Sequence, residues 1–476
     1  MADLKAQNSQ TAEGLVKKGR EDFLDYCHVI KTDFTADQFH ISLCKILEKL
    51  YNGEYEKNKM MINAPPQHGK SLISSKLFPS WVMGQDPTMR ILGNSYNQEQ
   101  ANESSSFCRR MVRNKSTYTE MFPETKIHPK HRNIEQWKTN KYGFFSANGI
   151  GSGISGKSAD LGIIDDYHKG WEEAHSETQR DKVENWYKAE FLSRLQSESY
   201  QVIIATRWHK DDLSGRLLEQ EGDEWIHITC RAIDEDGHAL APSRYTKEDL
   251  EEKKSTMSTR IWMAEYQQEP LEDKESGAKI EDLNMIPPSS VPEDLRWVRG
   301  WDLAYSDHRS ADYTASCLMA RDSDANFYLA DLLRFKAGWV SSGKQRVIEK
   351  VKSQEVEHIF GAGGVQQPII DDVFDALEGE FPSRLLTHVG EQSGKTARFS
   401  NWEPHVEDGN FHLVDDGSNW EQFKKEVNDF PNAPHDDTID MVSNGWEEIG
   451  DTGYSGVPVA PVGIGRGSND WRNKIS

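Results

Sequence analysis

The chain has 476 residues, 78 Asp and Glu against 56 Lys and Arg, and a net charge of −22. That length is too great for one ordinary core, so two domains are expected. Its 14 Trp and 10% aromatic content argue against wholesale disorder, and an acid excess is not that of a protein that grips nucleic acid over its whole surface. The five cysteines lie far apart without a CxxC pair, which excludes a disulfide framework or zinc knuckle and fits a reducing compartment. The polar N-terminus has no signal-like apolar core, and no apolar run is long enough to span a membrane.

Residues 1–57 read as a helical lead-in. Residues 58–267 alternate strand candidates (Met60–Ile62, Arg90–Leu92, Gly162–Ile164, Gln201–Ala205, Trp225–Thr229) with helical stretches at Ser71–Met83, Asn97–Asn114 and Thr178–Leu195. That alternation predicts an α/β unit with a mainly parallel sheet. Residues 268–293, polar and rich in Pro and acid, read as a linker. A second α/β unit over 294–449 opens with strands Trp297–Ala304, Thr314–Ala320 and Asn326–Arg334, followed by a helix over Val340–Val351. The small-residue stretch 450–476 reads as a flexible tail.

Ala64, Pro65, Pro66, Gln67, His68, Gly69, Lys70 and Ser71 follow an apolar run and open a helix, the context of a phosphate-binding loop. Backbone N–H groups of such a loop cradle anionic oxygens, Lys70 reaches the β and γ phosphates of ATP, and the Ser71 hydroxyl ligates Mg²⁺. Ala64 stands where the strict pattern has Gly. The apolar strand ending in Asp165-Asp166 supplies the second half of the site: Asp165 for the Mg²⁺ shell, Asp166 for the attacking water. Asp-Asp occurs five times, but only this pair ends a buried-strand pattern at a plausible distance from the loop. Thr206 and Arg207, ending the run 201–207, are candidate γ-phosphate sensors, and Gln38 is a candidate for the adenine edge.

Together these residues resemble the large terminase subunit of tailed bacteriophages. The resemblance covers nearly the whole chain: the loop, Ile163–Asp166, Glu172–Arg194, Ala205–His209 with Asp211–Leu213, Gly300–Asp302, Asp312–Thr314, and Phe430–Pro431 through His435, Asp436, Asp437 and Asp440. It implies an ATPase of the additional-strand (ASCE) P-loop type followed by an RNase H-like nuclease domain that cuts concatemeric DNA. It also implies a pentameric ring that drives double-stranded DNA through the portal protein into a procapsid. A small terminase subunit would select the DNA, and the setting would be the cytoplasm of an infected host, with transient procapsid docking. Two other readings share parts of the pattern. An ATP-driven helicase or remodeller leaves Asp302 and His435–Asp437 unexplained, and a non-catalytic ATP-switched assembly protein would not turn over ATP.

Relatives carry Arg where this chain has Gln67, which shifts weight to a cation from a neighbouring subunit; Lys157 is the first candidate and Arg132 the second. For the nuclease, two Mg²⁺ or Mn²⁺ ions need several carboxylates. Asp302 ends its strand, and Asp436 and Asp437 open the last helix, with His435 assisting and Asp440 one turn on. The resemblance places a Glu where this chain has Ala362, so impaired cleavage is expected, with Asp371 or Glu357 as poor substitutes. Lys395 and Arg398 are candidate DNA-phosphate contacts.

Overall fold

The structure, a computed structural model, describes residues 13–450 apart from 115, 155, 157, 272–277, 306–311, 364–365, 391–393, 432 and 434. The chain divides into two units, one of Met1–Lys254 with Arg260–Leu271, the other of Ser255–Thr259 with Glu272–Ser476.

The first unit is built on eight strands: β1 Lys59–Asn63, β2 Arg90–Ser95, β3 Ile127–Arg132, β4 Gln136–Thr139, β5 Phe144–Gly149, β6 Ala159–Asp165, β7 Leu195–Ala205 and β8 Trp225–Thr229. Their order is β3-β4-β5-β2-β6-β7-β1-β8. From β5 to β8 every neighbour is parallel; β3 and β4 add an antiparallel edge. β7 lies between the strand that feeds the phosphate loop and the strand that carries Asp165, the arrangement expected of an additional-strand ATPase. Alternate residues of each central strand enter different cores. Met60, Ile62, Ile163 and Ile204 pack on one face, and Met61, Ile164, Ile203 and Ala205 on the other. Both faces are therefore covered, as parallel sheets require. The lead-in is part of this unit: Phe23, Tyr26, Leu43 and Leu47 from helices Phe23–Ile30 and Gln38–Tyr51 lie in the first core.

β3, β4 and β5 were not expected from the sequence. Pro129 and the charged, exposed pattern of β3 hide its strand character, and it is accommodated at the sheet edge, where a missing N–H donor is tolerated. The helix after the loop runs as π turns over Leu72–Leu77 and α turns over Phe78–Gln85. The change of pitch falls just before Pro79, whose nitrogen cannot donate to the ladder.

In the second unit, β9 Asn284–Ile286, β10 Trp297–Asp302, β11 Thr314–Arg321, β12 Phe327–Phe335, β13 Glu357–Ala362, β14 Leu386–Gly390 and β15 Phe411–Val414 form one sheet. The order is β14-β13-β10-β11-β12-β15-β9. β10, β11 and β12 form an antiparallel meander, and β13 joins β10 in parallel. The stretch expected as a linker is partly structural, since Ala278 and Leu283 are buried in this unit's core and β9 pairs with β15. The helix Asp437–Ile449 lies directly on β10. A Cβ on Gly300 would sit 2.1 Å from the Met441 carbonyl oxygen, so only glycine lets strand and helix approach this closely. That contact brings the start of the helix, with its carboxylates, to the end of β10. The expected tail, 450–476, lies outside the described residues except for Gly450.

Candidate ATP and nuclease sites

The loop Ala64–Ser71 connects β1 to the helix behind it. Gln67 (φ 61°) and Gly69 (φ 89°) take left-handed conformations, the kind of backbone from which anion-binding N–H nests are built. Lys70 Nζ is buried and donates to Ala64 O at 3.3 Å and to Thr206 Oγ1, and lies 3.3 Å from Asp166 Oδ1. The Ser71 hydroxyl donates to Asp165 Oδ1 at 2.7 Å. Thr206 N–H donates to Asp166 Oδ1 at 2.8 Å, and Asp166 itself holds a left-handed φ of 47°. Three strand ends, those of β1, β6 and β7, thus converge on one cluster. Burial, and then the charge of Asp166, lift the Asp165 carboxyl to about 6. A hydroxyl and a carboxylate joined in this way are the hard oxygen donors that Mg²⁺ takes, so Ser71 and Asp165 fit that ion.

The outer side of the loop is braced by residues that the sequence did not single out. His40 Nε2 donates to His68 O at 2.9 Å. The Arg244 guanidinium donates to Gln67 O at 3.3 Å, the His68 and Tyr245 rings lie 5.2 Å apart, and Ser243 Oγ donates to Asp37 Oδ2 at 2.5 Å. The segment 243–245 therefore straps the loop to the start of helix Gln38–Tyr51, where Gln38 is exposed and donates to Ser42 Oγ at 3.3 Å. Burial, with the Lys70 and Arg244 charges, holds His68 down to about 4, so its ring is neutral. No motif announces Arg244; it lies 175 residues beyond the loop's Gly69 in sequence (244 minus 69) and only folding brings it there.

Arg207 does not reach the loop. Its guanidinium donates to Asp212 Oδ2 at 2.9 Å and its backbone N–H to Gln268 Oε1 at 2.9 Å. It is a structural anchor for the end of β7 rather than the phosphate sensor expected beside Thr206. Arg132 sits on edge strand β3, and its carbonyl accepts from Arg109. Lys157 lies outside the described residues.

In the second unit, Asp302 is buried at the end of β10, with its carboxyl raised well above the ordinary range by burial, then by the charges of Asp440 and Asp437. Asp437 Oδ1 accepts the Tyr313 N–H at 2.8 Å and Oδ2 accepts from Arg334 at 3.0 Å. Asp440 pairs with Lys395 at 2.9 Å and Arg398 at 2.8 Å, and Asp436 holds Lys395 through both oxygens at 2.8 Å. Lys395 and Arg398 thus neutralise the cluster's own carboxylates. Asp436 is turned to Lys395, whereas Asp440, read from sequence only as one turn further on, is the carboxylate that acts most strongly on Asp302. Ligand atoms of Asp312, His435 and Asp437 also lie within 4.8 Å of one another. These oxygen-rich donors fit a hard divalent ion.

The expectation for Ala362 needs correction. Trp301 stacks on Phe360 (5.6 Å), and Ala362 packs with that same apolar cluster, on the sheet face opposite to Asp302. A strand alternates faces, so the residues in line with Asp302 are Gly361 and Gly363. A Cβ on Gly361 would already meet Asn444 Nδ2 at 2.2 Å. The side chain that reaches Asp302 from this direction is Gln366, whose amide donates to Asp302 Oδ1 at 2.9 Å. Glu357 is held by Arg296, and Asp371 accepts from Gln367, so neither replaces a middle acid.

Two family descriptions match the chain in succession. "Terminase large subunit, T4likevirus-type, N-terminal" covers residues 61–278, and "Terminase RNaseH-like domain" covers 299–446. The chain belongs to the terminase large subunit family. It is accordingly a DNA-packaging motor subunit with an ATPase domain and an RNase H-like nuclease domain. No curated protein sequence matches it. Among solved structures, the large terminase of a thermophilic bacteriophage is similar at 9% identity and TM-score 0.45, over 84% of this chain and 97% of that one. The large terminase of bacteriophage HK97 is similar at 13% identity and TM-score 0.36, over 80% and 86%. The ATPase domain of the large terminase of a Thermus phage is similar at 14% identity and TM-score 0.33, over 52% and 98%.

Proposed function

We propose that the cluster at the ends of β1, β6 and β7 hydrolyses ATP to drive double-stranded DNA into a procapsid, and that the cluster around Asp302 cuts the DNA. The observation that carries the first part is Lys70, which joins the loop, Thr206 and Asp166 at one point while Ser71 joins Asp165. Loop N–H groups and Lys70 hold the β and γ phosphates. Ser71 and Asp165 would hold Mg²⁺, which supplies charge neutralisation on the phosphates when bound. Asp166 orients the attacking water. Thr206 senses the occupied site through Lys70, and its neighbour Arg207 passes movement to Asp212 and Gln268. In the nuclease, Asp302, Asp437 and Asp440 would hold Mg²⁺ or Mn²⁺, which polarises the scissile phosphate when bound. Lys395 and Arg398 then turn from the carboxylates to DNA phosphates.

The remaining partners follow from the family: a homomeric ring of five subunits on the portal protein, a small terminase subunit, and action in the infected host's cytoplasm with transient procapsid docking. Among the described residues no helix is long and apolar enough to cross a membrane. The test is ATP turnover by the wild type and Lys70→Ala, with and without duplex DNA and portal-bearing procapsids. DNA and procapsids should stimulate the wild type, and the variant should fall by at least about 100-fold. Wild-type turnover in Lys70→Ala would overturn the assignment. For the nuclease, plasmid nicking with Mn²⁺ should be lost in Asp302→Asn; persistence of nicking would exclude this cluster.

A further inference from the structure

Two short stretches of this acidic chain carry no acid and much positive charge. Residues 104–119 contain Arg109, Arg110 and Arg113 without an Asp or Glu; residues 125–134 contain Lys126, His128, Lys130, His131 and Arg132, again without one. The fold brings them together. Arg109 and Arg113 on the helix Gln98–Asn114 face Lys126, just before edge strand β3, and His128 and Arg132 on it, across an open pocket of about 420 Å³. The Arg109 guanidinium donates to the Arg132 carbonyl, which fixes two cationic residues side by side. Arg113, Lys126, Lys130 and Arg132 are exposed. Among the described residues none of the patch's Arg and Lys side chains has a carboxylate within ion-pair distance; the ion pair on this hairpin is the separate Lys141–Glu124 contact at 3.8 Å.

We infer that this patch is a surface on which the ATPase unit holds the phosphate backbone of duplex DNA, an inference that rests on the motor reading above. A chain of net charge −22 can approach a polyanion only where its sign is locally reversed, and here that reversal is concentrated on one edge of the sheet. Like charges held side by side repel unless an anion joins them. A single small anion would be held by convergent buried donors; these side chains are long, exposed and spread over two elements, which suits successive phosphates along a strand. A second protein is the poorer fit, because protein interfaces centre on apolar anchors. The exposed large hydrophobic residues among those described are Leu15, Tyr142, Met285, Tyr305 and Val340, and of these Tyr142, 5.5 Å from the His128 ring, borders the patch. The cations sit at the opposite end of the strand order from β7 and β1, so removing them should leave the ATP cluster intact.

The experiment is the salt dependence of binding of the full chain to a fluorescent duplex, followed by anisotropy from about 50 to about 200 mM salt. Each phosphate contact contributes about 0.9 to the slope of log affinity against log salt. Arg113→Ala with Lys126→Ala should therefore lower that slope by about 1.8. The control, Lys45→Ala with Lys49→Ala, removes the same charge from the exposed side of helix Gln38–Tyr51 and should leave the slope unchanged. Basal ATP turnover without DNA should match the wild type in both, which reports that the unit is folded. A slope unchanged in the patch variant, or lowered equally in the control, overturns the inference while leaving the motor reading intact. Loss of ring assembly on procapsids with an unchanged slope would also overturn it, and would make the patch a contact between subunits. A wild type that binds no duplex at low salt would overturn the motor reading and the inference together.

Discussion

His358 offers a sharp test of how the second unit is held. It is fully buried on β13, one strand from Asp302, between two fixed partners. The Trp301 indole N–H donates to His358 Nδ1 at 3.0 Å, so Nδ1 must carry a lone pair; Nε2–H then donates to Gln354 O at 3.2 Å. A second proton on Nδ1 would point at the indole N–H. Burial, reinforced by the Arg299 charge, holds the ring down at about 3 against an ordinary 6.5. A histidine depressed in the folded state contributes stability that is complete above its unfolded pKa and is lost as pH falls through the window from 6.5 towards 3. Going from about pH 7 to about pH 5 should remove about 2 kcal/mol from this unit. Urea unfolding, read by hydrogen exchange of β10 and β13 amides, gives the local free energy at each pH. His358→Gln has no imidazole to protonate, so its loss over the same interval should be smaller than that of the wild type by about 2 kcal/mol. Equal pH slopes in the two proteins would show that His358 does not bear the buried neutral charge state described here.

Further outcomes follow from contacts of the same kind. Ala362→Glu should lower the second unit's stability by about 1 kcal/mol in urea unfolding, because it sets a carboxylate at the half-buried margin of the apolar cluster that holds Trp301 and Phe360, and it should not increase Mn²⁺-dependent nicking. Gln366→Glu instead adds a carboxylate at Asp302, so its melting temperature should fall in metal-free buffer and recover with Mn²⁺. Gly300→Ala forces a Cβ against the Met441 carbonyl and should cost about 3 kcal/mol, read as a shifted urea midpoint. Arg244→Ala removes the outer brace of the phosphate loop; KM for ATP should rise about tenfold with kcat nearly unchanged in steady-state kinetics.

What could be read from the sequence was whatever local pattern encodes. The phosphate loop announces itself because a glycine, a lysine and a hydroxyl must follow one another between a strand and a helix. Asp165 and Asp302 were legible because an apolar strand that ends in a carboxylate is a short-range signal. β3 and β4 were not, since charge and Pro129 mask the first and four residues are too few to announce the second, and in β5 the polar and small residues Ser146, Asn148 and Gly149 break the apolar run. The phosphate loop's outer brace and the true neighbours of Asp302 were likewise settled by tertiary packing. Arg244 reaches Gln67, Gln366 reaches Asp302, and Arg207 turns to Asp212, all through contacts that no residue spacing specifies. Ala362 shows the limit most plainly. A position one residue from the row that faces Asp302 belongs to the other face of the sheet, and only the register of β13 on β10 decides which residue that is.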